Sequence, residues 1–224
     1  MTNDFDMLSF AEENYLKTIY HLSQADKSGV STNAISEIMQ TKPASVTDMI
    51  KKLAEKKYIS YQKYKGVHVT NKGKVSALQI IRKHRLWEVF LVDKLDFKWD
   101  EVHEIAEQLE HIKSTVLVQK LDKFLGFPRI DPHGDPIPDE NGEILIGKKI
   151  PLTEVLLDQV VVVTGVENSD ASFLAHLDKI KITLGSKISI VEKNTFDGSM
   201  EIKMANKSHL FISKQVSDNL LVTE

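Results

Sequence analysis

The sequence predicts a mainly α-helical protein with a smaller amount of β-structure, divided into three segments. Apolar residues recur at helical spacing through most of residues 1–126, as amphipathic helices require. Four of the six prolines lie between residues 127 and 150, a composition typical of a linker or an extended loop. Beyond residue 150, short valine- and isoleucine-rich runs alternate with turn residues and indicate a small β-barrel. The predicted domains are residues 1–74, 75–140 and 151–224.

The first segment has the element order of a winged helix-turn-helix. The stretch FAEENYLKTIYHLSQ has a helical apolar face and is preceded by Ser9, which can cap it. Two further helices, STNAISEIMQ and KPASVTDMIKKLAEKKY, follow with a short turn between them, and Pro43 suits the first helical turn. YISYQKYKGVHVTNKGK then alternates around Gly66, as a two-stranded hairpin does. In such a fold the second helix of the pair lies in the major groove of double-stranded DNA.

Positive charge is concentrated in the same segment. Residues 42–74 contain nine lysines and two acidic residues, which gives +7 within a chain of net charge −3. This asymmetry favours DNA binding, although a lysine-rich solvated surface is the alternative. The predicted contacts at the start of the recognition helix are Lys42, Ala44, Ser45, Thr47 and Asp48. The predicted contacts to the DNA backbone are Lys51, Lys52, Lys63 and Lys65.

The second segment predicts long helices. VSALQIIRKHRLWEVFLVDKL is apolar on more than one face, so we expect this helix to be buried or to lie in a subunit interface. WDEVHEIAEQLEHI begins at Asp100, and STVLVQKLDKFLG begins at Ser114 and ends at Gly126. In the loop that follows, we interpret His133 of DPHGDPIP as a residue that shapes a proline-rich chain.

Two of these helices carry metal-ligating residue types at helical spacing, in which residues three and four apart share a face. Carboxylate and imidazole donors without thiolate suit Mn(II), Fe(II) or Zn(II). Three alternatives are considered: ordinary surface acid–base pairs, a metalloenzyme that uses the same residues, and a metal buffer that binds no DNA, which the +7 segment disfavours. The six residues are His84, Glu88, His103, Glu107, Glu110 and His111.

Several classes of protein are excluded. The chain has no cysteine, which removes disulfides, thiolate metal sites and cysteine nucleophiles. No run of residues is long and apolar enough to span a bilayer, and the N-terminus lacks a secretory pattern, so we expect a cytoplasmic protein without a membrane partner. The sequence also lacks the nucleophile-elbow, P-loop and zincin motifs, so we do not expect an enzyme.

Six motifs, in order, resemble the signatures of one family, the metal-dependent repressors of the diphtheria toxin repressor and manganese transport regulator type. They are ENYLKTIY, PASVTDMIKKLAEKKYI, GVHVTNKGK, RKHRLWEVFL, WDEVHEIAEQLEH and DPHGDPIP, within residues 8–140. The remaining chain resembles the SH3-like (FeoA-like) C-terminal domain of that family. The resemblance implies a homodimer in which the winged helix binds a palindromic operator, the central helices dimerise and bind metal, and the third domain modulates the response.

The resemblance also implies two sets of metal ligands. One set is His84, Glu88 and His103, and the other is Glu107, Glu110 and His111. Glutamate at position 107, where iron-type members have cysteine, is similar to the manganese branch, so Mn(II) is the expected corepressor and Fe(II) or Zn(II) the alternative. The family has a further ligand in its first helix. The matching position in this chain is Asn14, and its neighbour Glu13 is the alternative ligand. Lys17 occupies the position of a further acid, and Asp170 is an additional candidate ligand.

Overall fold

The computed structural model describes residues 8–25, 28–62, 65–144 and 147–223. Its contacts divide the chain into two compact units. The first unit comprises Met1–His84, Glu107–Gln119 and Pro138–Ile144, and the second comprises Arg85–Ala106, Lys120–Ile137 and Leu145–Glu224. The mainly α-helical fold with a smaller β component confirms the predicted fold class. None of the helices within these ranges is long and apolar enough to cross a membrane.

The first unit begins with three helices and a β-hairpin. These elements are α1 (Phe10–Ala25), α2 (Thr32–Ile38), α3 (Pro43–Glu55), β1 (Ile59–Gln62) and β2 (Gly66–Val69). The two strands pair antiparallel, and Val30 forms an additional bridge to Val67. This order confirms the predicted winged helix-turn-helix. The apolar faces of the helices meet in one core that includes Leu16, Ile19, Ile35, Val46, Ile50 and Leu53.

Side-chain caps define the ends of these helices. Ser9 Oγ accepts the backbone N–H of Glu12 at 3.3 Å, and Glu12 Oε2 accepts the backbone N–H of Ser9 at 2.7 Å. This reciprocal pair is a capping box at the start of α1. Glu12 also forms an ion pair with Lys56, just after α3, at 2.8 Å. The same carboxylate therefore caps α1 and links it to the end of α3.

Three further helices follow: α4 (Asn71–Leu95), α5 (His103–Leu109) and α6 (Thr115–Phe124). α4 begins earlier than predicted because Thr70 caps it, with its Oγ1 accepting the backbone N–H of Gly73 at 3.0 Å. α5 begins at His103 rather than at Asp100, and it ends at Leu109. Residues 110 and 111 therefore lie in a turn, and the predicted helical stripe is wrong beyond residue 109.

The second unit contains a six-stranded antiparallel sheet. Its strands are β3 (Ile150–Pro151), β4 (Val160–Val166), β5 (Lys187–Lys193), β6 (Met200–Met204), β7 (His209–Ile212) and β8 (Leu220–Thr223). Their order across the sheet is β3-β8-β4-β5-β6-β7. Two short helices, α7 (Ala171–Lys179) and α8 (Lys214–Asn219), complete this region. Alternate residues of β4 and β5, such as Val161, Val163, Ile188 and Ile190, point into the core, as the predicted strand pattern requires.

Candidate metal centres and nucleic-acid surface

The first candidate centre surrounds the carboxylates of Glu107 and Glu110 in the first unit. The Glu110 side chain is fully buried, whereas that of Glu107 is 34% exposed. The ammonium group of Lys17, on α1, contacts a Glu107 oxygen and lies 2.7 and 2.9 Å from the two Glu110 oxygens. His84 Nδ1, on α4, lies 2.7 Å from Glu110 Oε2 and 3.8 Å from Glu107 Oε1. Two helices therefore supply nitrogen partners to one carboxylate pair.

The neighbours of Glu110 keep its carboxylate ionised. Burial raises the pKa of Glu110, but the hydrogen bond from His84 and the charge of Lys17 outweigh burial, and the pKa lies below its usual value. An ionised carboxylate only accepts hydrogen bonds, so the His84 ring carries its proton at Nδ1. Glu110 is thus a buried anion, which is the property required of a cation ligand.

His111 and Asn14 are two further polar residues of the first unit. His111 Nδ1 donates to Glu13 Oε2 at 2.5 Å, so Glu13 fixes the tautomer and leaves the lone pair on Nε2. This Nε2 lies 3.6 Å from Glu110 Oε1. Within the described residues, His111 Nε2 and Asn14 Oδ1 are buried side-chain atoms that have no hydrogen-bond partner. Buried atoms of this kind are rare.

These donors fit a hard divalent cation. An imidazole nitrogen, an amide oxygen and two carboxylates, with no thiolate, are ligands that Mn(II), Fe(II) and Zn(II) accept. Asn14 Oδ1 and His111 Nε2 lack hydrogen-bond partners within the described residues, so the polar groups of the protein do not satisfy these two buried atoms. Glu13, one of the two ligands predicted on α1, contacts the His111 ring in this structure.

The second candidate centre lies entirely in the second unit. Ligand atoms of Glu88, Asp131 and His133 all lie within 4.8 Å of one another, and the three residues are buried. His133 Nε2 donates to the backbone carbonyl of Trp99 at 2.9 Å, which leaves Nδ1 facing Glu88 Oε2 at 3.5 Å. His103 Nδ1 lies 3.6 Å from Glu88 Oε1. A fixed imidazole beside two carboxylates is again a donor set for a divalent metal.

Proximity shifts the pKa values of this cluster. Burial and then the charge of Glu88 raise the pKa of Asp131 to about 7. Burial lowers the pKa of His133, but the hydrogen bond and charge of Glu88 outweigh burial and raise it to about 9. Arg85 Nε lies 3.4 Å from Asp131 Oδ2 and contributes positive charge. The charges of Glu88 and Asp131 therefore favour the cationic, doubly protonated form of the His133 ring at neutral pH.

Asp131 is not among the predicted metal ligands, and the predicted role of His133 is only to shape the loop. The structure places the His133 ring beside Glu88, so that role is incomplete. The available signal is the Asp-Pro-His-Gly run, which sets two ligand types two residues apart in a turn. Asp170, in contrast, is an exposed residue at the N-terminus of α7 and is not part of the donor group around Glu88 in the described chain.

α3 presents a polar, exposed face whose opposite side is buried in the core. The predicted contact residues at its start are all exposed: Lys42, Ala44, Ser45, Thr47 and Asp48. The Thr47 hydroxyl donates to the Pro43 carbonyl at 2.9 Å, and Lys51 lies 3.2 Å from Asp48. Lys52 and Lys65 are exposed as well, whereas Lys63 lies outside the described residues. The structure thus leaves most of the predicted DNA-contact residues accessible.

Family models match all three segments. Residues 7–67 match the N-terminal DNA-binding domain of iron-dependent repressors, and residues 70–139 match the metal-binding and dimerisation domain of iron-dependent repressors. Residues 150–224 match the FeoA domain. The chain is 32% identical over 126 residues to the iron-dependent repressor IdeR of Mycobacterium leprae. This match covers 56% of the chain and 54% of the relative, so the chain spans about half the length of that curated protein.

Two solved structures resemble the whole chain. One is a manganese-dependent transcriptional repressor in complex with manganese, with a TM-score of 0.86 and 30% identity over 95% of this chain and 99% of that chain. The other is the manganese regulator SloR, with a TM-score of 0.74 and 33% identity over 95% of this chain and 98% of that chain.

Proposed function

Because the chain belongs to the diphtheria toxin repressor and manganese transport regulator family of metal-dependent transcriptional repressors, we propose that it represses metal-uptake genes with Mn(II) as corepressor. In this proposal the exposed face of α3 binds operator DNA, and the buried donor clusters sense the metal. The metalloenzyme alternative is set aside, since the relatives named above are repressors or regulators and residues 7–67 match a DNA-binding domain.

One observation carries the proposal: the DNA-binding helices and the first donor cluster belong to the same compact unit. Glu13 of α1 holds His111, and Lys17 of α1 contacts Glu110, so α1 meets the turn after α5 through charged groups. A metal that takes donors from both elements at once therefore acts on the first helix of the winged helix-turn-helix. Metal binding at this centre would therefore be coupled directly to the position of the DNA-binding helices.

At this centre Asn14, Glu107, Glu110 and His111 would hold the metal, while Glu13 positions His111. A bound divalent cation supplies the charge that offsets the clustered carboxylates. When donors of α1 and of the α5 turn are engaged together, α1 is fixed relative to that turn, which favours one arrangement of the DNA-binding helices. A tenfold gain in operator affinity requires about 1.4 kcal/mol of coupling between the two sites.

We infer a second metal site at Glu88, Asp131 and His133, with His103 beside Glu88. The buried imidazole whose Nε2 is fixed by the Trp99 carbonyl supports this inference, because such an anchor orients Nδ1 towards the carboxylates. His84 and Asp170 remain predicted ligands whose roles the same metal-binding experiments would define. Each chain would then hold one metal in each unit.

The preference for Mn(II) rests on the donor types. Both clusters offer oxygen and imidazole donors only, and the chain has no cysteine that would favour softer or later metals. Hard oxygen donors suit Mn(II). A given protein site generally binds Mn(II) more weakly than later divalent transition metals, so raw affinity alone would not select it. An iron-responsive repressor is the second candidate, because the relative from Mycobacterium leprae is an iron-dependent repressor.

The family also supports a homodimer on double-stranded DNA. A two-fold dimer presents two copies of α3 and therefore requires a palindromic operator with a fixed spacing between its half-sites. We propose that residues 1–74 bind the operator, residues 75–140 bind metal and dimerise, and residues 151–224 modulate the response as an SH3-like domain.

The experiment selects an operator from random duplex DNA in the presence of Mn(II), and then measures affinity by gel shift with Mn(II), Fe(II), Zn(II) or excess chelator. We expect at least about tenfold tighter binding with the physiological metal than with chelator. Operator affinity that chelator leaves unchanged would reject corepression.

Substitutions at each donor cluster test which cluster binds metal and which controls the metal response. Glu107→Gln combined with Glu110→Gln should abolish the metal response, and Asp131→Asn combined with His133→Gln should remove one bound Mn(II) per chain. The matched control is Glu140→Gln with Glu143→Gln, which neutralises two exposed carboxylates of the first unit and should change neither property. A control variant that also lost the response would show that net charge, not the clusters, governs it.

A further inference from the structure

Lys17 supplies a positive charge to the carboxylate pair of the first centre from within the chain. Its ammonium contacts Glu107 and both oxygens of Glu110. The Lys17 side chain is 13% exposed and that of Glu110 is fully buried, so this contact is not a solvated surface pair. Water screens it little, and the attraction between the charges is correspondingly strong.

The atoms that Lys17 contacts are the ones that a metal would need at this centre. An ammonium group donates three hydrogen bonds and accepts none, and here its donors point at three carboxylate oxygens. A divalent cation on the same oxygens would lie within a few ångströms of the ammonium. Two positive charges at that separation in a buried site repel strongly. The carboxylates therefore cannot bind the ammonium and the metal together with the affinity that each would have alone.

The charge balance of the centre leads to the same conclusion. Glu107 and Glu110 contribute two carboxylates, which match one divalent cation, whereas the Lys17 ammonium already offsets one of the two charges. Asn14, one turn before Lys17 on α1, offers a neutral oxygen and adds no negative charge to compensate. Lysine also has a long flexible stem, so its ammonium can leave without moving the helix.

We propose that Lys17 is an intramolecular competitor of the metal at Glu107 and Glu110, which a divalent cation must displace in order to bind. This inference rests on the proposed function, because it assumes that these carboxylates are metal ligands. Lys17 sets the metal concentration at which the first centre fills and holds α1 against the α5 turn until then. A chain without the ammonium should respond at lower metal concentrations.

The experiment titrates full-length protein with Mn(II) and follows free Mn(II) by electron paramagnetic resonance. Lys17→Gln removes the charge, and we expect Mn(II) to bind the first centre at least tenfold more tightly than in the wild type. Lys17→Arg keeps a cation near the carboxylates, so its affinity should stay near that of the wild type. The matched control is Lys56→Gln, which removes a separate lysine–glutamate pair of α1, with Glu12, and should leave Mn(II) affinity unchanged.

Hydrogen exchange on metal-free protein provides a second measurement. Because Lys17 links α1 to the α5 turn, amides of α1 should exchange faster in Lys17→Gln than in the wild type, while unchanged far-ultraviolet circular dichroism shows that the variant is folded. Mn(II) binding to Lys17→Gln that is no tighter than to the wild type would overturn the inference.

The remaining outcomes separate the inference from the proposed function. Wild-type protein that binds no Mn(II) at the first centre, next to Lys17→Gln that does, would uphold competition by Lys17 and overturn the role of this centre in the natural protein. Failure of both proteins to bind Mn(II) at Glu107 and Glu110 would reject the proposed metal site and the inference together.

Discussion

At the scale of single residues, three carboxylates of this chain differ because their neighbours differ. Lys56 and Ser9 stabilise the charge of Glu12 at the start of α1, and His84 with Lys17 stabilises that of Glu110 beside the α5 turn. Burial beside Glu88 instead raises the pKa of Asp131. Spacing along the sequence carries little information about these differences, since each depends on partners that only the fold provides.

Glu12→Gln tests one of these environments. Burial raises the pKa of Glu12, but the hydrogen bonds of Lys56 and Ser9 outweigh burial and lower it from 4.5. The ionised form is therefore favoured in the folded state, and its stabilising effect exists above pH 4.5 and is lost as the pH falls through the lowered pKa. We expect the variant to lose about 1 kcal/mol of unfolding free energy at neutral pH.

Urea unfolding at a series of pH values measures this effect. The difference between wild type and Glu12→Gln should shrink as the pH falls below 4.5 and through the lowered pKa of Glu12, because the wild-type carboxyl is then protonated too. Glu140→Gln, at an exposed carboxylate of the same unit, should match the wild type throughout. A constant difference at every pH would show that the charge of Glu12 is not the cause.

The candidate site was only partly predictable at this scale. Residue types and i, i+4 spacing are enough to identify His84, Glu88 and Glu107 as metal-ligating types. The contact between Lys17 and Glu110 cannot be predicted in the same way, because the two residues are far apart along the chain and only the fold of the first unit brings them together. His133 presents a similar difficulty, since a proline-rich loop gives no indication that its ring is buried beside a helix.

At the scale of elements, α3 combines a buried apolar face with an exposed basic one. Lys52→Gln should weaken binding to operator and to random DNA by similar factors, because a phosphate contact carries no sequence information. The slope of log affinity against log salt concentration should fall by about 0.9. Lys187→Gln, an exposed lysine of β5, is the control and should leave the slope unchanged. A specific loss on operator alone would indicate that Lys52 reads bases.

The start of α4 depends on a close approach at Gly73. A Cβ atom at this position would lie 1.9 Å from the Tyr58 carbonyl oxygen. Gly73→Ala should therefore lower the unfolding free energy by about 1–3 kcal/mol through displacement of that backbone. Thermal unfolding followed by circular dichroism measures the loss. Gly147→Ala, where an added Cβ meets no atom within 4 Å, should be neutral.

The element boundaries show what sequence patterns omit. The run TNKGK falls at the end of the predicted hairpin segment, yet Thr70 caps α4 and the helix begins at Asn71. The donor stripe of α5 looks continuous in sequence, but the helix ends at Leu109 and His111 turns to meet Glu13. Existence and type of the long helices and strands follow from apolar periodicity, whereas their ends depend on caps and on tertiary contacts.

At the scale of the whole molecule, the chain gathers distant stretches into each unit. The first unit joins the N-terminal helices to Glu107–Gln119 and Pro138–Ile144, and the donor cluster forms where α1 meets Glu110. The three predicted domains do not reveal this, because their boundaries follow composition along the chain. The fold class was predictable from local patterns, whereas the location of the candidate donor cluster in the same unit as α1, α2 and α3 was not.

This arrangement leads to a prediction about the complete molecule. If metal and operator favour the same state, each must tighten the binding of the other by one common factor. We expect Mn(II) to bind about tenfold or more tightly when saturating operator duplex is present, and operator to bind more tightly by the same factor when Mn(II) is present. Mn(II) titration by electron paramagnetic resonance and fluorescence anisotropy of labelled operator give the two factors.

Two variants separate coupling from affinity. Lys52→Gln should weaken operator binding to the same extent with and without Mn(II), because it removes a DNA contact and leaves the common factor unchanged. Glu107→Gln with Glu110→Gln should bring the factor at the first centre to about one, since the metal then has no differential affinity for the two states. Equal coupling in the latter variant and in the wild type would place the regulatory metal at Glu88, Asp131 and His133 instead, with the second unit in control of the response.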